Sequence, residues 1–164
     1  MECSQCRHDS PPTSGPRIRA VVTIRELGAE ETGLAYRAMF ELRPIGTEPE
    51  FVARVNELQR PEGYRLVAAF AEGEQQAVAA AGFRTAHYLA WGHALYIDDL
   101  SSRPGFRRQG HSGALLDWLL AEARRLGCAQ LHLDSGVGPN REEAHRLYLN
   151  KRLRISCHHF QVEL

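Results

Sequence analysis

The chain has 164 residues, enough for one domain of ordinary size whose core needs neither disulfides nor a metal. It carries 20 Lys and Arg against 20 Asp and Glu, so its formal net charge is zero and no overall field favours a nucleic acid. No stretch approaches the roughly 20 apolar residues of a membrane helix, and the N-terminus lacks the apolar centre of a signal peptide, so we expect a cytoplasmic protein without a membrane partner.

The first part of the chain differs in composition from the rest. Residues 1–17 are rich in Ser, Pro, Gly and charge and show no apolar period, which predicts a flexible tail before a single domain over residues 18–164. Cys3 and Cys6 form a C-x-x-C within this tail, but the other two cysteines supply no second C-x-x-C. We therefore expect no metal.

Apolar periodicity predicts the elements that follow. The β-branched stretch RAVVTIREL, from Arg19, predicts the first strand, and helical spacing predicts helices over 30–42 and 48–58. Three apolar runs of strand length then predict an antiparallel meander. These runs are YRLVAAFA, AVAAAGFRTAHYLA and HALYIDDLSS.

The C-terminal half alternates helices and strands. An apolar stripe predicts an amphipathic helix over 114–126, and QLHLDS predicts a short strand after it. A further helix over 142–151 and a final strand region, RLRISCHHFQVEL, complete the order. The sequence therefore predicts a mixed α/β sheet, antiparallel early and parallel where helices intervene.

The stretch RRQGHSGALL, Arg107–Leu116, joins the meander to the amphipathic helix. A loop that leaves a strand and starts a helix turns several backbone N–H groups toward one point, at the positive end of the helix dipole. Ser112 and Gly113 leave room for close approach, and Arg107 and Arg108 add local charge. This geometry favours a phosphate ligand.

Three known phosphate motifs fit this loop poorly. No Gly-Lys-Ser or Gly-Lys-Thr follows the glycine, which excludes a Walker A loop, and a dinucleotide fingerprint requires G-x-G-x-x-G after the first strand. A G-x-x-G nucleic-acid clamp joins two helices, whereas here a strand precedes the loop. A single-strand RNA-binding module is the least favoured class, and we expect no nucleic-acid partner.

The loop resembles the coenzyme A loop of the GNAT superfamily, the Gcn5-related N-acetyltransferases. That signature reads Arg or Gln, two residues, Gly, one residue, then Gly or Ala. Arg107, Gly110 and Ser112 occupy these positions, with serine in place of the last glycine. The preceding LSSRPGF also has the layout with which the family's fourth strand ends, including Pro104.

A second resemblance lies on the helix predicted over 142–151. Family members carry Asn-x-x-Ala-x-x-Leu/Phe-Tyr there, and Ala144, Leu147 and Tyr148 match it. Arg141 stands at the expected Asn position, one place after Asn140, and the usual Gly-Phe that follows is replaced as well.

The resemblance covers about residues 18–164 and implies a GNAT-like α/β fold. Its mixed sheet has antiparallel N-terminal strands and parallel pairing around a splayed fourth and fifth strand, flanked by about four helices. It further implies that acetyl-CoA binds as cosubstrate, with its pantetheine arm along the fourth strand. The residues implied for this cosubstrate are Leu100, Ser101, Ser102, Arg107, Arg108, Gln109, Gly110, His111, Ser112, Gly113, Asn140 and Arg141.

The resemblance implies direct acetyl transfer to a primary amine, with Tyr148 protonating the leaving thiolate. Strand alternation sends Asp98 and Asp99 to opposite faces, so at most one points into the cleft. Comparison with polyamine-acetylating members favours Asp98 as the base, directly or through water. The alternatives are that Asp99 is the base, or that both aspartates are structural or only position a cationic substrate. The acceptor is a small-molecule or protein amine, and a homodimer is left open. The alternative function is a noncatalytic CoA-binding sensor or regulatory domain, which only turnover distinguishes.

Overall fold

The computed structural model describes residues 22–164. Within them, a five-stranded sheet follows the chain order, and four α-helices lie on its two faces. The strands are β1 (Val22–Leu27), β2 (Arg65–Ala71), β3 (Ala79–Tyr88), β4 (Gly92–Ser102) and β5 (Gln130–Leu133). The helices are α1 (Tyr36–Phe40), α2 (Glu48–Ala53), α3 (His111–Arg125) and α4 (Glu142–Asn150). The predicted tail, with Cys3 and Cys6, and the first residues of the first predicted strand lie outside the described residues.

The strand directions confirm the predicted mixed sheet. Strands β1 to β4 pair antiparallel with their neighbours, although two helices separate β1 from β2 along the chain. Strands β4 and β5, joined through α3, pair in parallel from Ala94↔Gln130 to Ile97↔Leu133. Strand β5 ends there while β4 continues to Ser102 against β3. The two strands therefore part from Asp98 onward.

A β-bulge interrupts β4 at this point. Phe83 of β3 faces Ile97, but the next residue, Gly82, faces Asp99, so Asp98 is an extra residue in β4. Ile97 and Leu100 both pack in the core beneath α3, which leaves the two aspartates between them on the opposite face. The prediction that Asp98 and Asp99 point to opposite faces is therefore wrong, because a bulge breaks the two-residue period of a strand.

Each face of the sheet has its own core. The face covered by α3 and α4 buries a cluster that includes Val67, Phe83, Leu95, Leu116, Leu119 and Tyr148. The face covered by α1 and α2 buries a cluster that includes Leu27, Met39, Phe51, Tyr64 and Leu66. Strand alternation in β2 and β3 supplies apolar side chains to both cores, which explains why these strands read as nearly continuous apolar runs.

The helices differ from prediction mainly in their bounds and winding. The first predicted helix begins as a 3-10 helix, Ala29–Ala35, before α1. The helix that starts with α2 continues in π and 3-10 winding as far as Glu62, beyond the predicted end, and stops where Gly63 adopts a φ of +84°. Helix α3 begins at His111, earlier than predicted, so the glycine-containing loop leads directly into its first turn.

The predicted final strand over RLRISCHHFQVEL is wrong. Residues 153–164 form neither helix nor strand, and Ile155 and Phe160 in this segment are 81% and 89% exposed. The chain turns at Arg152 with a φ of +64°, and His159 then contacts Asp134 at 2.9 Å instead of pairing along β5. An alternating sequence forms a strand only where a neighbouring edge takes up its backbone hydrogen bonds. No helix within residues 22–164 has the length and apolar character to span a membrane.

Candidate active site where β4 and β5 part

The loop between β4 and α3 contains two left-handed residues immediately before the helix. Arg108 and Gly110 adopt left-handed backbone conformations, with φ of +61° and +92°. Helix α3 begins immediately after Gly110, and the N–H groups of its first turn have no acceptor within the helix. When right-handed and left-handed backbone conformations alternate along the chain at a helix N-terminus, successive N–H groups can point toward the same anion. A phosphate site on this loop stays a prediction, and the backbone conformation there is of the kind that such a site uses.

Arg107 connects this loop to its surroundings. Its Nε donates to the Ser102 carbonyl at 3.4 Å, and its Nη2 lies 3.6 Å from Glu41 Oε2, at the end of α1. The side chain is 52% exposed, so an incoming anion can reach it. Arg108 is exposed as well, and Gln109 Nε2 donates to the Gly105 carbonyl at 3.0 Å.

Serine at the last signature position suits the local structure. Ser112 is not among the residues with positive φ, so its Cβ adds no backbone strain there. Its Oγ lies 2.7 Å from Ser102 Oγ, which ties the end of β4 to the first turn of α3. Neighbouring His111 is only 2% exposed, and neither ring nitrogen has a hydrogen-bond partner in the described part of the chain. Burial lowers the His111 pKa, so this side chain is a neutral core group and only its backbone N–H remains for a ligand.

The predicted pantetheine segment lies on the part of β4 that has left β5. Leu100, Ser101 and Ser102 pair with β3 on one side only, because β5 has ended at Leu133. Ser101 is 8% exposed, and Leu100 borders the core beneath α3. The second edge of β4 here has the backbone groups that an extended ligand can pair with.

Helix α4 places Tyr148 on the face of the sheet that α3 covers. A Cβ placed on Gly113 would lie 3.6 Å from Leu147 Cδ1, so α4 rests against the first turn of α3. Tyr148 is 9% exposed, and burial raises its pKa, which keeps the hydroxyl protonated at neutral pH. Arg141 lies near enough to oppose that rise and donates from Nε to Ser135 Oγ at 3.4 Å, whereas Asn140 is exposed.

The two aspartates of the bulge are held by arginines on the other face. Asp98 Oδ2 accepts from Arg84 Nε at 3.0 Å, and Asp99 Oδ1 accepts from Arg43 Nε at 2.8 Å. Burial raises the pKa of Asp98, while the hydrogen bond and charge of Arg84 oppose the rise. A carboxylate whose pKa is raised binds a proton more strongly, which suits it to accept one from a substrate.

Tyr64 completes this cluster and fits against a glycine. Its hydroxyl donates to Asp99 Oδ2 at 3.1 Å, and burial, followed by the Asp99 charge, raises its pKa well above the ordinary value. A Cβ on Gly82 would lie 1.7 Å from the Tyr64 hydroxyl, so only glycine allows this tyrosine to cross β3. Sequence reasoning missed Tyr64, Arg84 and Arg43. The available signal was the isolated glycine within an apolar strand, which is typical of a close approach.

The predicted catalytic residues lie on opposite faces of β4. Asp98 faces the Tyr64 cluster, whereas Tyr148 packs in the core with Ile97 and Leu100. The structure thus does not place their side chains together on one face of the sheet. An open groove of about 550 Å³ lies beside the segment between α1 and α2, lined in part by Ile45 and Glu50.

The sequence and the fold were compared with those of known proteins. A model of the acetyltransferase (GNAT) family matches residues 30–152. A search of curated protein sequences finds no match. Among solved structures, an acetyltransferase of Trypanosoma brucei is 20% identical with a TM-score of 0.72, and the match covers 88% of this chain and 100% of that chain. A transcriptional regulator from Bacillus halodurans C-125 is 21% identical with a TM-score of 0.71, covering 88% and 100%.

A third structure is the aminoglycoside N-acetyltransferase AAC(6')-Iy in complex with CoA. It is 14% identical with a TM-score of 0.73, and the match covers 94% of this chain and 99% of that chain. At these identities the likeness shows the fold. Because the family model matches residues 30–152, most of a chain of 164 residues, the protein belongs to the GNAT acetyltransferase family.

Proposed function

We propose that the protein is an acetyl-CoA-dependent N-acetyltransferase that transfers the acetyl group to a primary amine by direct attack in a ternary complex. The observation that carries this proposal is the parting of β4 from β5 at Asp98, beside the donor-rich loop at the start of α3. One extended ligand can place phosphates on this loop and a thioester arm along Leu100–Ser102. The CoA-bound aminoglycoside acetyltransferase of similar fold supports this cosubstrate.

The proposed reaction begins with an ammonium group, because a lysine-like amine has a pKa of about 10.4. Asp98 accepts a proton from it, directly or through water, and the neutral nitrogen attacks the thioester carbon. A backbone N–H of β4 near Leu100 or Ser101 stabilises the developing oxyanion. The carbon–sulfur bond then breaks, and the thiolate takes a proton from the Tyr148 hydroxyl. The tyrosinate that results is reprotonated from solvent. The amide nitrogen releases its extra proton to water.

Turnover separates this proposal from a noncatalytic CoA-binding sensor or regulatory domain. The similar fold of a protein described as a transcriptional regulator means that fold does not decide between them. The test incubates the protein with acetyl-CoA and a panel of primary amines and follows free thiol release. We expect release that depends on one class of amine and exceeds release without amine. Acetyl-CoA binding without amine-dependent release across polyamines, amino acids, aminoglycosides and lysine peptides would favour the sensor.

We further propose that residues 18–164 form a single catalytic domain of a cytoplasmic enzyme, with residues 1–17 as a flexible tail. Its composition offers little apolar surface to a core, so removing residues 1–15 is expected to leave the melting temperature and acetyl-CoA affinity unchanged. Thermal denaturation with and without acetyl-CoA measures both.

Loss of binding on truncation, or one equivalent of zinc in the full chain by elemental analysis, would assign a role to Cys3 and Cys6. Light scattering on the full chain separates a monomer from a homodimer.

A further inference from the structure

Arg107 contacts two different elements beside the predicted phosphate-binding loop. Its Nε donates to the Ser102 carbonyl at the end of β4, at 3.4 Å, and its Nη2 lies 3.6 Å from Glu41 Oε2 at the end of α1. Both distances are longer than the usual 2.7–3.2 Å of an N–H···O hydrogen bond. The guanidinium therefore lies between β4 and α1, and neither element holds it firmly.

The end of α1 fixes the position of Glu41. The N–H groups of the next two residues, Leu42 and Arg43, donate to the Met39 carbonyl at 3.0 and 2.8 Å, and the Met39 side chain is buried in the core beneath α1. The Glu41 side chain is 33% exposed, and within residues 22–164 its only ion pair is with Arg107. Helix α1 thus places one carboxylate at the edge of the loop.

The Arg107 guanidinium can move while the loop keeps its shape. The Arg107 backbone is extended, with a φ of −66°, and its N–H donates to the Pro104 carbonyl at 3.3 Å. The left-handed residues that shape the loop, Arg108 and Gly110, come after it. More than half of the Arg107 side chain is exposed, so rotation about its own bonds releases both contacts. An exposed ion pair of this kind is weak, and another anion can replace its carboxylate.

We infer that Glu41 is an autoinhibitory group of the cosubstrate site, because it competes with the phosphates for the Arg107 guanidinium. The inference rests on the proposed function, in which the phosphates of acetyl-CoA bind this loop. A phosphate accepts two charge-assisted hydrogen bonds from a guanidinium, whereas Glu41 makes one contact at 3.6 Å. The phosphates are therefore the preferred partner of Arg107. The fraction of Arg107 that pairs with Glu41 lowers the observed affinity for acetyl-CoA.

The test measures the Kd of acetyl-CoA by calorimetric titration at about 0.15 M salt, where exposed charges more than about 8 Å apart are largely screened. Glu41→Gln removes the competing carboxylate, so the Kd is expected to fall about two- to fivefold, the range of an exposed ion pair. Glu48→Gln, which removes an exposed carboxylate of α2, is the matched control and should leave the Kd unchanged.

A double-mutant cycle with Arg107→Gln separates competition from simple repulsion. If Glu41 acts by holding Arg107, then Glu41→Gln has no effect on the Kd once Arg107→Gln is present. The same gain in both backgrounds would overturn the inference, because Glu41 would then act only by repelling the phosphates. A higher Kd in Glu41→Gln alone would also overturn it and would make Glu41 a positioning residue for Arg107.

Inorganic pyrophosphate, as a second probe, keeps this inference separate from the proposed function. It carries the phosphates without the thioester, so its Kd should show the same decrease in Glu41→Gln, again only where Arg107 is present. That result in a protein that turns over no amine would retain the role of Glu41 and reject the acetyltransferase proposal. An unchanged Kd for acetyl-CoA in Glu41→Gln, with turnover intact, would overturn the inference and retain the proposed function. Binding of neither probe would overturn both.

Discussion

The two faces of β4 differ in which groups are available to a ligand: backbone groups on one face and side chains on the other. On the face with α3 and α4, the features suited to a ligand belong to the backbone: the left-handed turns at Arg108 and Gly110 and the N–H groups of the first turn of α3. On the face with α1 and α2, they belong to side chains from separate segments, chiefly the Arg43–Asp99 and Arg84–Asp98 pairs around Tyr64.

This difference teaches where each kind of specificity resides. A backbone cradle binds any ligand with the right phosphates, and its position depends on a short local motif. A cluster of charged side chains selects by charge and spacing, and one substitution changes it. We therefore expect variants on the α3 side to affect the cosubstrate or its leaving group, and variants on the α1 side, other than those of Glu41, to affect the acceptor or the stability of its cluster.

The largest expected effect comes from Tyr148→Phe. The ring stays packed against α3, but the donor to the thiolate is lost, so turnover at saturating acetyl-CoA near neutral pH should fall about 10²- to 10⁴-fold. Acetyl-CoA affinity, measured separately by calorimetry, should persist. Recovery at pH above about 8.5, where a thiolate leaves without help, would support the role of an acid. Normal turnover would reduce Tyr148 to a packing residue.

Asp98→Asn tests whether the acceptor side supplies the base. Asparagine can still accept the hydrogen bond from Arg84, so the fold should hold while turnover near neutral pH falls about 10²-fold. The pKa of Asp98 is raised, so wild-type activity should decline with falling pH from a higher pH than an ordinary aspartate gives. The variant should lose this acid limb and recover activity toward the pKa of the amine. The same profile in Asp99→Asn, with Asp98→Asn normal, would move the base to Asp99.

Charge reversal in the loop tests the cofactor side. Replacing Arg107 and Arg108 by glutamate places like charges beside the phosphates, so acetyl-CoA affinity should fall about 10- to 100-fold. The measurement is the rise in melting temperature on adding acetyl-CoA at a concentration near the wild-type Kd, where the rise should disappear in the variant. The matched control reverses two other exposed arginines, Arg37 and Arg124, and should keep the shift. An undiminished shift in the loop variant would locate the phosphates elsewhere.

The smallest of these effects is expected from Gly82→Ala, which acts on packing. The added methyl meets the buried Tyr64 ring, so the free energy of unfolding should fall by about 1–3 kcal/mol. Gly28→Ala provides the control, because a Cβ there meets nothing within 4 Å at a φ of −70°. Chemical denaturation measures both variants. We also expect a higher acceptor KM with unchanged acetyl-CoA affinity; a loss of acetyl-CoA affinity instead would show that the two faces are not independent.

The sequence by itself determined the features that depend on nearby residues. Apolar periodicity predicted the strands through β5 and the helices, with errors mainly at their ends, because burial of one face imposes that spacing. The loop before α3 was also predictable, since glycine position and the following helix are both local. Its chemistry lies in backbone groups, which a ten-residue stretch already contains.

Only the tertiary structure decided the cluster around Asp98 and Asp99 and the path of the end of the chain. A bulge depends on how β4 pairs with β3, so no pattern within β4 showed that Asp98 and Asp99 share a face. Arg43, Tyr64 and Arg84 are distant from the aspartates in sequence and meet them only in the fold. The final segment has a strand-like pattern but does not pair along β5. A strand forms only when its backbone hydrogen-bonds to a neighbouring strand, and the pattern of one segment does not show whether that neighbour is available.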